Sequence, residues 1–325
     1  MSKPIRAIIE GITAGLASIF FAVILWFIPQ LMILAILFPL PFIIAGARNG
    51  AFAGIIGLAI PSALAGFLIS PMLGIILFVL NIFILLSLMV VYKKSLVMNE
   101  AIILAAGGTL LALLAALQIF NWMQGESFFE YFFEQMRVLL NANSASLDAF
   151  IQMYKAIGLI DKAVTGEGFV EVLIEQMRDL MPLVPSALMT ASLLSGGINY
   201  LVSRALLKKI GTMVPVVSPF RMWALPKGTG RGFLGLMLAA FLGNLAKIPN
   251  FDVVLYTVSS IFTFVFTVQG LSAGAFFLDV KKVHVVLKIL ILGMILVLLP
   301  AGLMFVGIFE QGLGLRKAYT QRKGN

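Results

Sequence analysis

The sequence predicts an all-α fold: a polytopic transmembrane helical bundle of eight or nine spans with an extracytoplasmic helical insertion. Three observations carry that prediction. Hydrophobic residues make up 61% of the 325 and charged residues only 11%, where an ordinary soluble domain is roughly 25% charged. The mean hydropathy is +1.07, and single water-soluble cores stop growing at roughly 250–300 residues, so this much apolar surface has lipid as its solvent. The apolar residues also fall in runs close to the roughly 17–25 that cross a hydrocarbon layer about 30 Å thick.

Taken in order, the runs are residues 8–28, 31–47, 51–69, 72–91 and 101–120, forming a five-span bundle within 1–120. The first follows Lys3 and Arg6 and has the outline of a signal peptide. It is too long for one, and Trp26-Phe27-Ile28-Pro29 offers no small-residue cleavage site, so it reads as an uncleaved helix with an outer aromatic end. An acidic segment at 121–180 precedes the sixth span at 181–203. A basic loop at 204–231 leads to further spans within 232–309, namely 232–246, 251–278 and 285–309, and a basic tail at 310–325. Pro300 and Gly302 offer a place where the last run would break into a hairpin instead of crossing.

Charge placement sets the expected orientation. The 121–180 segment holds nine of the fourteen acids against four bases, a net of −5, whereas 204–231 holds six bases and no acid. With the N-terminus inside, Arg48, Lys93, Lys94, Arg204, Lys208 and Lys209 all become cytoplasmic and the acidic segment lies outside, as the positive-inside rule requires. The last third does not close: three more straight crossings put Lys281 and Lys282 inside but Arg316, Lys317, Arg322 and Lys323 outside. Bases gathered in short loops between apolar runs also argue against nucleic acid as the reason for the +9 net charge.

Several chemistries are excluded by residue type. There is no cysteine and one histidine, His284, so disulfides, thiolate catalysis and multi-histidine metal sites are absent. No HExxH, GxSxG or GKS/GKT phosphate loop occurs, which disfavours an enzyme, and no cofactor is expected. An ATPase would have to be a separate subunit.

The remaining candidates are polar or small groups in apolar surroundings. Asn81 stands at the middle of the fourth span; Ser192, Ser195 and Asn199 share one face of the sixth; Ser260, Thr263 and Thr267 share a face of the eighth, leading to Gln269. Polar groups at bilayer depth are costly and default to functional candidates, so these three sets are expected to line a polar cavity, against the simpler reading of interhelical hydrogen bonds. Ala14, Ser18 and Ala22 form a small-residue stripe that would let another helix approach closely, in the bundle or in a partner. In the acidic segment Ser127 and Glu130 fit a capping box opening a helix through Leu140, with further helices through 147–157 and 169–177. Arg221 and Trp223 lie between prolines, where an anchor at the interface or a contact with an anionic group is expected.

The motifs Pro219-Phe220-Arg221-Met222-Trp223-Ala224-Leu225-Pro226, Gln269-Gly270-Leu271, Phe276-Phe277-Leu278 and Gly307-Ile308-Phe309-Glu310 leading to Leu315-Arg316-Lys317 follow the acidic segment in that order. The arrangement resembles the YybS-like family of predicted bacterial membrane proteins, a domain of unknown function. In that family an acid is expected near the position of Gly314, so its absence here weakens the expectation of an essential acid–arginine pair. The family is distantly similar to the S components of energy-coupling-factor transporters. What the resemblance implies is a small-solute-binding component of the bacterial cytoplasmic membrane without its own ATPase. It would dock a transmembrane coupling subunit and ATPases, with Glu310 and Arg316 among the contact residues. The other expected role is a scaffold or regulator that binds proteins through its basic loop.

Overall fold

The computed structural model describes residues 2–142, 151–153, 155 and 166–324, and among them every regular element is helical. Chain contacts divide it into two compact units: Met1–Val184 with Ser192–Pro215, and Pro185–Ala191 with Val216–Asn325.

In the first unit α1 (Lys3–Phe27) carries Pro4 in its first turn, where no intrahelical N–H is needed, and stops ahead of Pro29. The second run is not one helix. Residues Pro29–Leu37 wind as a nine-residue 3-10 helix, and α2 (Leu40–Asn49) follows. Runs of that geometry seldom exceed about three or four residues; Pro29, Pro39 and Pro41 bracket this one and remove donors that a continuous α-helix would use. Then come α3 (Ala51–Leu68), α4 (Pro71–Lys94) and α5 (Met98–Gln124). Ser70 caps α4 by accepting from the Leu73 N–H at 3.1 Å, and Gly125 ends α5 in the left-handed region at φ 75°. The acidic segment supplies α6 (Phe128–Ala142) and α7 (Gly166–Asp179), after which α8 (Val184–Lys209) contributes its part from Ser192 onward.

Small residues set the spacing within this unit. A Cβ on Gly11 would lie 2.8 Å from the Ala53 carbonyl, and one on Gly15 would lie 2.9 Å from Ile60, so α1 and α3 approach almost backbone to backbone. Gly54 meets Leu85 and Gly66 meets Gly74, which makes α3 and α4 antiparallel.

The basic ends gather at one end of the unit. Glu10 accepts from Arg6 Nε at 3.2 Å, pairs with Arg48 at 3.3 Å and accepts from Asn49, tying the start of α1 to the end of α2. Tyr92 Oη lies 2.5 Å from Ser203 Oγ, which brings together the ends of α4 and α8 with their flanking lysines. At the opposite end Gln124 reaches Met72, and the acidic helices follow. There Phe133, Val170 and Ile174 form a small core between α6 and α7. Arg137 bridges Glu171 and Glu134, which hold its guanidinium above the usual value, and Arg178 pairs with Glu130 while lying 5.1 Å over the Phe133 ring. The expected capping box is therefore altered: Ser127 Oγ accepts from the Phe129 N–H, and the Glu130 carboxylate turns to Arg178 instead. The helix expected through 147–157 falls mostly outside the described residues.

The second unit is organised on α10 (Phe251–Val280), whose 30 residues extend about 45 Å at 1.5 Å per residue. Antiparallel to its first half runs α9 (Thr229–Leu245), with Gly243 against the Phe251 ring and Phe233 5.7 Å from Phe262. The second half of α10 is covered by the 219–226 segment, irregular apart from a 3-10 turn at Phe220–Met222, and by α11 (Val285–Leu298). Then α12 (Pro300–Leu313) crosses the middle, where Gly270 and Gly307 bring the two backbones together: a Cβ on either would overlap a carbonyl of the other helix. The chain ends in α13 (Leu315–Gly324).

Of the two expectations for 285–309, a straight span or a break at Pro300, the structure takes the break. Helices α11 and α12 meet at 107°, because Pro300 lacks the donor that would continue α11 and Gly307 holds α12 across α10. The bend carries the tail back: Tyr319 packs on Phe277 at 5.9 Å, beside the end of α10 that carries Lys281 and Lys282. Three straight crossings would separate these two basic stretches, whereas the bend keeps them at the same end of the unit. Among the described residues seven helical stretches are long and apolar enough to cross a bilayer, or eight if the bent pair counts as one.

Candidate functional site

A cavity of about 630 Å³ opens in the first unit, away from its basic end. Its walls come from α1 (Ile19, Ala22, Trp26), the 3-10 segment (Met32, Ile36), α3 (Pro61, Leu64, Leu68), α4 (Leu77, Asn81, Ile84), α5 (Thr109, Leu113) and Ser195 of α8. Breaking the second span helps to make this space, since the tighter 3-10 winding and the prolines keep that run from closing as a regular helix. The freed backbone is stapled in place by Asn199, whose Nδ2 donates to the Ile36 carbonyl at 2.8 Å and to the Ser195 carbonyl at 3.0 Å.

The polar capacity of the cavity is limited and specific. Asn81 gives one N–H to the Leu77 carbonyl at 2.7 Å, and Thr109 gives its hydroxyl hydrogen to the Ala105 carbonyl at 2.9 Å. That leaves the Asn81 amide oxygen, its second N–H, the Thr109 oxygen and the Ser195 hydroxyl as groups to meet a guest. No charged side chain is among the lining residues. A largely apolar molecule with one or two hydrogen-bonding groups suits such a site, and a bare ion or a highly charged solute would lose its hydration there without compensation.

In the second unit the 219–226 segment is clamped along α10 by side chains. Arg316 donates from Nη1 to the Arg221 carbonyl at 2.8 Å and to Ser272 Oγ at 3.1 Å, and from Nη2 to the Trp223 carbonyl at 2.9 Å. Its Nε donates to Glu310 at 2.8 Å, and both side chains are buried. Ser272 Oγ makes close polar contacts with the Phe220 and Trp223 carbonyls at 2.7 and 2.8 Å. Gln269 accepts from the Leu225 N–H at 3.0 Å and donates to the Gly307 carbonyl, while Gln311 donates to the Pro226 carbonyl at 2.9 Å. Irregular backbone next to apolar helices persists only where its polar groups find partners. The fixed fork of an arginine serves several carbonyls at once, and Glu310 balances its charge.

Residues 15–309 match the family described as predicted membrane protein, DUF2232. The chain belongs to that family. The YybS-like resemblance agrees with it, and the match takes in the 219–226 segment, Gln269 and Gly307 while stopping one residue short of Glu310. No curated protein and no solved structure matches the chain.

In this DUF2232 member the polar sets are divided. Asn81 and Ser195 face one cavity, joined by Thr109. Ser192 and Asn199 are buried but are not among its lining residues, and Asn199 Oδ1 has no hydrogen-bond partner among the described residues. Ser260, Thr263, Thr267 and Gln269 belong to the second unit; Thr263 is exposed, Thr267 is buried and Gln269 serves the clamp. Ala14 and Ser18 are buried, with Ala14 against Gly57 of α3, whereas Ala22 is exposed and lines the cavity. Trp223 donates its indole N–H to the Ser218 carbonyl at 2.9 Å and packs edge-on to Phe220 at 5.1 Å. Glu310 and Arg316 pair with each other inside the unit, so an acid–arginine pair forms here although position 314 is a glycine. The signal that would have found this is Gly314 itself: at φ 60° it ends α12 and turns the chain so that Arg316 comes back over Glu310.

Proposed function

We propose that this protein is a solute-binding component of the bacterial cytoplasmic membrane, with no ATPase and no catalysis of its own. It captures a small, largely apolar molecule in the first unit and passes it on through a separate coupling subunit. The observation that carries this reading is the cavity of about 630 Å³, of a size typical of ligand sites, with apolar walls and the polar atoms of Asn81, Thr109 and Ser195. Its position supports capture from outside: it lies away from the basic end, toward the acidic segment, which the positive-inside rule puts outside the cell. The resemblance to S components of energy-coupling-factor transporters supports the same role. A scaffold that recruits proteins through the basic loop has less in its favour, because the backbone at Arg221 and Trp223 is held by Arg316 in its own unit.

The test is to purify the protein in mild detergent and identify small molecules released on denaturation. Wild type is expected to release one enriched compound, and Ala22→Phe, which fills the cavity from an exposed position, is expected to release none. Asn81→Leu is expected to weaken binding about tenfold through loss of a hydrogen-bonding group. Equal release from wild type and Ala22→Phe would refute the assignment.

A further inference from the structure

A second cavity, of about 580 Å³, lies wholly in the second unit as a groove between α10 and α11. Two helical stripes face each other across it: Leu271, Ala275 and Asp279 at intervals of four on α10, and Lys288, Leu292 and Leu296 at the same interval on α11. Small residues keep the stripes from closing. A Cβ on Gly293 would meet nothing within 4 Å, and Ala275 stands opposite.

The groove is sharply divided along its length. Beyond Leu292 and Leu271 it is apolar. At the other end Asp279 is bridged by Lys288 and, at 3.1 Å, by Arg221 from the clamped segment. Two cations against one acid leave a positive charge in excess there, and Lys281 and Lys282 follow immediately. The outer surface of α11 is apolar and exposed, with Leu290 at 63% and Val297 at 79%, as for a helix with lipid against it.

We propose that this groove is a binding site for an anionic phospholipid, with its phosphate at Arg221 and Lys288 and one acyl chain lying past Leu292 to Leu296. Charge complementarity selects the occupant: an apolar channel ending in an unbalanced cation matches an anionic amphiphile, and each basic residue near a bilayer surface favours anionic headgroups. A neutral lipid leaves the excess charge unanswered, and a free anion leaves the channel empty. Arg316 fixes the backbone of Arg221 through its carbonyl, and Asp279 holds the guanidinium at the groove, so Arg316 positions the headgroup contact without touching it.

The full-length protein, purified in mild detergent and freed of lipid by washing, is titrated with phosphatidylglycerol, with phosphatidylcholine of the same chains, and with inorganic phosphate, and bound species are counted by native mass spectrometry. One phosphatidylglycerol is expected to bind. Arg221→Gln with Lys288→Gln is expected to weaken it about thirtyfold, and phosphatidylcholine to bind as weakly to wild type as phosphatidylglycerol does to that variant. Gly293→Leu, which fills the channel and leaves the charges alone, is expected to abolish lipid binding. Arg221→Gln alone, at a half-exposed side chain, keeps the test readable if the double variant does not fold, with a loss of about fivefold. Equal binding of the two lipids, undiminished binding to Gly293→Leu, or binding of inorganic phosphate as tight as that of phosphatidylglycerol would overturn the assignment, as would a protein occupying the groove. None of these variants touches the cavity of the first unit, so release of its solute reports separately.

Discussion

Arg316 meets four partners with one guanidinium: Glu310, Ser272 and the carbonyls of Arg221 and Trp223. A lysine places one compact charge and cannot reproduce that fork. Replacing Arg316 by methionine leaves Glu310 buried and uncompensated, a loss of about 3–5 kcal/mol for a broken buried pair. The thermal midpoint in detergent is expected to fall markedly in Arg316→Met and by an intermediate amount in Arg316→Lys. Glu310→Gln still accepts from the guanidinium but leaves its charge unbalanced, so it too is expected to lower the midpoint, by less than Arg316→Met because the three other partners of the guanidinium remain. Limited proteolysis should show cleavage near Arg221 appearing first in Arg316→Met. A midpoint unchanged in Arg316→Met would mean that the segment is held by something else. At this scale Asn81, Ser195 and Asn199 stand out in the sequence because amides and hydroxyls in apolar runs are conspicuous. Thr109 does not, since a threonine that bonds back to its own helix looks like any other. The Glu310–Arg316 pair was hidden for a different reason: six residues apart on a straight helix they would point away from each other, and only the left-handed Gly314 brings them together.

Among the elements, the crossing of α10 and α12 depends on two glycines in opposed positions. A methyl group on Gly307 would overlap the Phe266 carbonyl, and backbone cannot yield as a side-chain tip does. Gly307→Ala is therefore expected to cost about 1–3 kcal/mol or more by overpacking, read as a lower thermal midpoint. Gly293→Ala, whose Cβ meets nothing within 4 Å, is expected to leave the midpoint unchanged or slightly raised. Equal effects of the two would contradict the close crossing. Helix positions were largely legible because hydropathy reports length and solvent. Direction changes inside an apolar run were not. The break at residues 29–37 and the 107° bend at Pro300 are marked by prolines, but a proline tells where a helix is free to turn. How far it turns is set by what it packs against, here Gly307 on α10, and no pattern local to the run contains that.

For the whole molecule, charge is the organising quantity. In the first unit the contacts of Glu10 with Arg6 and Arg48, and of Tyr92 with Ser203, bring the basic helix ends together, and the acidic helices follow the other end. In the second unit Tyr319 and Arg316 keep the basic tail beside Arg221 and the lysines that follow α10. This sidedness was the most legible property of the sequence through six spans, because short basic loops are read directly from the chain. In the last third it stayed open, because the sequence allows both a straight last helix and one broken at Pro300, and the chain takes the bend.

Capture of a solute from outside requires the acidic segment and the cavity mouth to face the exterior, with every basic end inside. Single-cysteine labelling measures this directly, since the natural chain has no cysteine to interfere. With a membrane-impermeant maleimide on intact cells, Ser127→Cys is expected to react, while Ser2→Cys, Ser95→Cys and Lys317→Cys are expected to react only after the membrane is opened. Labelling of Ser2→Cys or Lys317→Cys on intact cells, with Ser127→Cys protected, would contradict the orientation and the capture role that rests on it.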